Sequence, residues 1–184
     1  MSKNKIVGAS LVALMAATRM HHFGSNLHLP DASLAVFILA GFLVASPLFF
    51  GALLIEAGLL DYVAITHMGV SDYCVTSAYW FLIPTYAVLW GTGRYYAKLH
   101  RDTLRSFGLF SALSFVSLSV AFFISNGAFY LFSGRFSDVS LSGYTARTSQ
   151  YYWPYVESAV TYLVPAVLIY IVLAAMTHHQ AKHA

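Results

Sequence analysis

The sequence predicts an all-α polytopic integral membrane protein of six transmembrane helices, on three observations. The first is composition: 59% of the 184 residues are hydrophobic and only 9% are charged. Soluble domains carry about 25% charged residues, so there is too little charge here to coat a water-facing surface. The second is the recurrence of apolar runs along the whole chain, near the roughly 20 residues that carry a helix across a bilayer. The third is that the basic residues sit in short connections between those runs. That pattern orients a membrane protein; it does not form a nucleic-acid surface. The net charge of +3 is mild, and residues 1–184 read as one transmembrane domain.

The six segments run roughly over residues 5–18, 32–50, 52–66, 75–90, 107–132 and 155–176. The first follows Lys3 and Lys5 and runs into Arg19-Met20-His21-His22 without a small-residue cleavage site, so it reads as a membrane helix and not as a removed signal. It is short, like the third, and both extend into polar flanks. Between the second and third, Ser46-Pro47 through Gly51 marks a tight turn or a kink. Pro84 in the fourth and Pro165 in the sixth are tolerated in membrane helices better than in soluble ones.

Orientation follows from charge. With the N-terminus inside, Lys3, Lys5, Arg94, Lys98, Arg101, Arg105 and Lys182 face the cytoplasm, while Arg19, Arg135 and Arg147 lie outside. This bias predicts an N-in, C-in topology. The outer connections are then Arg19–Asp31, His67–Cys74 and Ser133–Pro154. They hold Arg19, His21, His22, His28, Asp31, His67, Asp72, Cys74, Asp138 and Arg147, with Asp61 at the outer end of the third segment. A binding site open to the outside is the simplest reading of that mixture.

Cys74, the single cysteine, excludes an internal disulfide and a CxxC pair. It lies where an outer loop enters the predicted fourth helix, a position that can lower a thiol pKa and supply a soft ligand for a late transition metal. The alternative from position alone is a small buried hydrophobe. Asp61, Glu56 and Glu157 are acids within or beside apolar segments, expensive in lipid and therefore functional candidates; a helix-end cap is the plainer reading of Asp61. The eight histidines show no HxxxH or HExxH spacing, so a dedicated metal cage is not indicated. Tyr73, Tyr79, Trp80, Tyr144, Tyr151, Tyr152, Trp153 and Tyr155 read as an outer aromatic belt, some of them able to line a pocket for a flat ligand. Ala9, Ala13 and Ala17 form a small-residue strip on the first helix, for packing within the bundle or docking of a partner helix.

His21-His22-Phe23-Gly24, Leu29-Pro30-Asp31-Ala32-Ser33-Leu34-Ala35-Val36-Phe37, Asp61-Tyr62-Val63-Ala64 and Gly69-Val70-Ser71-Asp72-Tyr73-Cys74-Val75-Thr76-Ser77-Ala78-Tyr79 resemble the signature stretches of the BtuM family of bacterial cobalamin transporters. The resemblance runs over most of the chain and is densest from Arg19 to Arg94. It implies six helices folded like the substrate-binding S-components of energy-coupling-factor vitamin transporters, in the bacterial inner membrane, with a cobalamin (vitamin B12) pocket facing the periplasm. It implies that Cys74 ligates cobalt at the lower face of the corrin, displacing the vitamin's own base, with loss of cyanide from cyanocobalamin on the opposite face. His22, Asp61, Tyr79 and Arg147 match other polar positions of that pocket. The Ala9-Ala13-Ala17 strip resembles the docking motif for an energy-coupling module, although members of the family are often encoded without a dedicated one. The resemblance leaves open whether the decyanation is stoichiometric or enzymatic.

One ligand from the protein suffices in this reading, because the corrin brings four equatorial nitrogens of its own; a free-metal site would need three or four protein ligands. The competing readings are an S-component-like subunit for another vitamin, a nickel or cobalt ion permease, and a membrane oxidoreductase. The permease needs histidine–aspartate motifs inside a helix, and the oxidoreductase needs deep histidine pairs; the sequence has neither.

Overall fold

The computed structural model describes residues 3–19 and 29–183. Among them are six α-helices and no strand: α1 (Lys3–Arg19), α2 (Ser33–Leu43), α3 (Pro47–His67), α4 (Leu82–Leu99), α5 (Leu104–Phe132) and α6 (Leu141–His183). Two 3-10 turns, Asp72–Cys74 and Ser77–Phe81, lead into α4. Three stretches are long and apolar enough to cross a membrane: Pro47–His67, Leu104–Phe132 and Leu141–Met176.

The short α2 is the centre of the molecule. Every residue from Ser33 to Gly41 is buried, which fits a helix that is apolar all round. It packs most extensively on α4, with α1, α3 and α6 also against it. The α2–α4 crossing depends on two glycines. A Cβ on Gly41 would lie 2.0 Å from the Trp90 carbonyl oxygen, and one on Gly93 would lie 2.0 Å from that of Ile38. The two backbones therefore touch, as small residues allow between membrane helices.

The predicted second segment, residues 32–50, is two pieces. Ala45 adopts a left-handed conformation at φ 55, a state that costs a non-glycine residue about 1–2 kcal/mol. Its carbonyl oxygen accepts a hydrogen bond from the Arg94 guanidinium of α4. Ser46 then caps α3, its hydroxyl accepting from the Phe49 amide at 3.4 Å, with Pro47 in the first turn. At 11 residues α2 rises only about 16 Å, roughly half the hydrocarbon thickness. Its apolar surface is spent on the bundle interior.

Other boundaries differ from the sequence reading, and α4 also runs on to Leu99, not to residue 90, so Arg94 and Lys98 lie in the helix and not in a connection. The fourth helix begins at Leu82, not at residue 75, because Thr76 caps a 3-10 turn first. The sixth begins at Leu141, not at residue 155, so most of the predicted outer connection Ser133–Pro154 is helical. At 43 residues α6 is about 65 Å long, well beyond the thickness of a bilayer.

Successive helices alternate in direction. The end of α1 meets the start of α2, the end of α3 and the start of α4 through bonds from Arg19 to Ser33, Asp61 and Tyr86. At the opposite end His100, after α4, is within hydrogen-bond distance of Tyr170 of α6 at 2.8 Å. The outward faces are apolar: Leu48, Ile55 and Leu59 on α3, Phe115, Val116 and Phe123 on α5, and Val164, Leu168 and Val172 on α6 are all exposed.

Candidate functional site

Arg19 ends α1 with only 6% of its surface exposed. A guanidinium is always charged, so burying it requires partners for its donors. Nε and Nη2 donate to the two oxygens of Asp61, both at 2.7 Å, the bidentate fit of guanidinium and carboxylate. Nη1 donates to Ser33 Oγ at 2.8 Å and to the Tyr86 hydroxyl at 2.9 Å, and lies 3.3 Å from Asp31 Oδ2. The Ser33 amide and hydroxyl donate to Asp31 Oδ1 at 2.9 and 2.7 Å. The Tyr79 hydroxyl donates to Asp61 Oδ2 at 2.7 Å. One network thus ties α1, α2, α3, a 3-10 turn and α4 together. Stranding either charge of such a pair costs about 3–5 kcal/mol.

The chain between α3 and α4 lies over this network. Gly69 turns it out of α3 at φ +70, in the left-handed region that glycine enters without penalty. Ser71 and Thr76 cap the two 3-10 turns, accepting from the amides of Tyr73 at 3.2 Å and Ala78 at 3.3 Å. Ser77 anchors the segment by donating to the Phe132 carbonyl of α5 at 2.5 Å. Cys74 carries a free thiol and reaches the surface. It lines a cavity of about 230 Å³ together with Arg19, Asp31, Asp61, Tyr79 and Tyr86. A second cavity of about 200 Å³ shares Asp31, Leu82 and Tyr86 and extends to Ser125, Tyr155 and Ser158.

The helix-end argument for a low Cys74 pKa does not hold. Seven residues separate Cys74 from the start of α4 at Leu82, so the helix dipole is not at hand. The surrounding atoms push the thiol up by desolvation, and Asp61 adds to this, while Arg147 and Arg135 pull it back down.

Asp61, Cys74 and Tyr79 are therefore brought to one cavity, and Asp61 is neither a bare acid nor a helix cap. Arg147 stands apart from that wall. Its Nε donates to Asn126 Oδ1 at 3.0 Å, and its guanidinium lies 4.6 Å from the Tyr151 ring centre, 5.1 Å from Phe129 and 5.4 Å from Phe136. His22 lies outside the described residues. Of the other acids, Glu157 is exposed, and Glu56 is half-buried with one carboxyl oxygen lacking a hydrogen-bond partner. The aromatic group divides: Trp80, Trp153, Tyr73 and Tyr151 are exposed, whereas Tyr79 and Tyr155 face the two cavities. Among the described residues no three His, Cys, Asp or Glu side chains gather into a metal cage.

No protein-family model matches this chain, and no curated protein matches it.

Sequence reasoning missed Arg19, Asp31, Ser33 and Tyr86 as the frame of the site. The available signal was Arg19 itself, an arginine ending an apolar helix, with acids in the next connection and at the end of the third segment. It also missed His100 at the opposite end, where Nδ1 is 2.7 Å from the Tyr96 hydroxyl and Nε2 is 3.2 Å from Asp102 Oδ1.

Proposed function

We propose that this chain is an N-in, C-in protein of the bacterial inner membrane, with a six-helix, S-component-like bundle in which α2 is internal, that binds and takes up cobalamin from the periplasmic side. The observation that carries this reading is the meeting of Cys74 with Asp61 and Tyr79 in one cavity at the end of the bundle away from Arg94, Lys98, Arg101 and Arg105. A thiolate is a suitable axial ligand for cobalt in a corrin. Hydroxyl, carboxylate and guanidinium groups suit the amide fringe of the macrocycle. The exposed Ala9, Ala13 and Ala17 strip on α1 is compatible with docking of an energy-coupling module.

The cavities of about 230 and 200 Å³ fall below the roughly 300–1,000 Å³ of pockets for drug-sized ligands. A corrinoid is larger still. In this reading it lies across the mouth of the Cys74 cavity.

Decyanation then balances as a ligand exchange. The thiol loses its proton and gives an electron pair to cobalt on the lower face, where the bond from cobalt to the vitamin's own base breaks and the base leaves with its pair. Cyanide leaves the other face with its bonding pair and takes up a proton, and the oxidation state of cobalt is unchanged. The cofactor supplies the reactivity, and the protein supplies the ligand and its position.

The test is an absorption spectrum of the detergent-purified protein with cyanocobalamin, for wild type and Cys74→Ala. A shifted corrin spectrum and released cyanide in wild type, both absent in Cys74→Ala, are expected. An unshifted corrin bound equally by both would leave a cobalamin binder without thiol chemistry. No corrin retained by either would eliminate the reading.

A further inference from the structure

Three cations lie at the Cys74 end of the bundle: Arg19, Arg135 and Arg147. Arg19 is compensated by two carboxylates, Asp61 and Asp31. The other two are not. Among the described residues neither Arg135 nor Arg147 is in an ion pair, and the acids of the same loops, Asp72 and Asp138, pair with neither. The residues outside the described set contain no acid.

Both uncompensated guanidiniums are held on aromatic faces. Arg135 lies 4.6 Å from the centre of the Tyr73 ring, the residue before Cys74. The Tyr73 ring is 5.8 Å from that of Phe129, and Phe129 carries Arg147 at 5.1 Å. The result is a row of guanidinium, ring, ring and guanidinium beginning one residue from the thiol. Ring contacts orient a guanidinium without neutralising it. Both arginines also act on the Cys74 thiol by lowering its pKa, which puts them within electrostatic reach of it.

We propose that Arg135 and Arg147 form an anion subsite beside Cys74 that takes a phosphodiester. This rests on the cobalamin reading, in which the phosphodiester is that of the nucleotide tail. The geometry of the ligand requires such a place. The tail hangs from the lower face of the corrin, the face Cys74 would occupy. Once the thiolate displaces the base, the released tail must lodge within its own reach of Cys74. Its phosphodiester is the anion of the vitamin, and Arg135 and Arg147 are the cations there that lack a carboxylate.

The test titrates cyanocobalamin and cyanocobinamide, the corrin without nucleotide tail or phosphodiester, into wild type, Arg135→Gln, Arg147→Gln and the double variant in detergent. Each substitution is expected to weaken cobalamin binding by about tenfold, the scale of one charge-assisted hydrogen bond. At a pH above the thiol midpoint of every variant, where the raised Cys74 pKa no longer limits ligation, cobinamide binding and its Cys74-dependent spectrum should not change, which also shows that the variants are folded. Arg135, exposed in its loop, carries the test alone if Arg147→Gln does not fold. Equal losses for both corrinoids, or no loss for either, would overturn the subsite while leaving cobalamin binding intact. A lipid headgroup offers the same phosphodiester. If the arginines hold lipid instead, the variants co-purify with less phospholipid while cobalamin affinity stays constant, and the proposal fails. Binding of neither corrinoid by wild type would remove the cobalamin reading itself.

Discussion

Arg19 organises the Cys74 end of the bundle because a guanidinium has five donors and cannot shed its charge. Burying it draws Asp61, Asp31, Ser33 and Tyr86 from three other helices and their flanks to one point. Tyr79 joins through Asp61, and Cys74 faces the space that remains. The thiol itself is held above its ordinary value by desolvation, so the thiolate fraction is small at neutral pH and rises with alkalinity. Alkylation of Cys74 by iodoacetamide should therefore accelerate with pH to a midpoint above the usual thiol value of about 8.5. Arg135→Gln or Arg147→Gln should move that midpoint higher, because each arginine lowers the thiol pKa. A midpoint at or below the ordinary value would contradict the burial argument. Charge partners on this scale are hard to read from sequence. Asp61 and Cys74 stood out by type and position, but Tyr86 is one tyrosine among 13, and only its hydroxyl 2.9 Å from Arg19 distinguishes it.

At the scale of elements, α2 and α4 form the axis on which the rest is hung. Their contact is made by backbone at Gly41 and Gly93, so no side chain can yield to make room. Gly93→Ala puts a methyl carbon 2.0 Å from the Ile38 carbonyl and must separate the helices. A loss of about 1–3 kcal/mol is expected, the usual range for overpacking. It should appear as a lower unfolding temperature in detergent, while Gly51→Ala, with open space around its Cβ position, should change little. An unchanged Gly93→Ala protein would mean that the crossing is looser than described. The hydrophobic runs revealed that helices exist and roughly where. They put a turn or kink at Ser46-Pro47 through Gly51, whereas the chain turns at Ala45 and α3 already starts at Pro47, because Val44 and Ala45 continue the apolar pattern. They did not show that α6 starts at Leu141, because its first turns are polar and only their packing on the end of α5 holds them. The Tyr130 hydroxyl there accepts from the Ser140 amide at 3.0 Å and donates to its carbonyl at 3.1 Å.

Across the whole molecule, apolar side chains face outward on α3, α5 and α6, while charged groups concentrate at the two ends. This is the arrangement expected of a bundle whose surrounding medium is lipid. Under the proposed topology the Cys74 end faces the periplasm and the Arg94–Arg105 end the cytoplasm. A membrane-impermeant maleimide should then label Cys74 in spheroplasts, whereas a cysteine placed at Arg101 in a Cys74→Ala background should react only after lysis. The reverse pattern would invert the protein and the site with it.

The sequence alone determined the all-helical class, the presence of stretches long and apolar enough to cross a membrane, and the separation of two chemically different ends, because run length, composition and charge position are local properties of the chain. The tertiary structure decided that α2 is an internal helix too short to cross a bilayer, that Arg19 is the keystone of the Asp61 network, and that Arg147 belongs with Arg135 on aromatic faces and not in the cavity wall. Those outcomes depend on which backbones approach closely and which charges are buried together. Both are relations between residues far apart in the chain, and no local pattern encodes them.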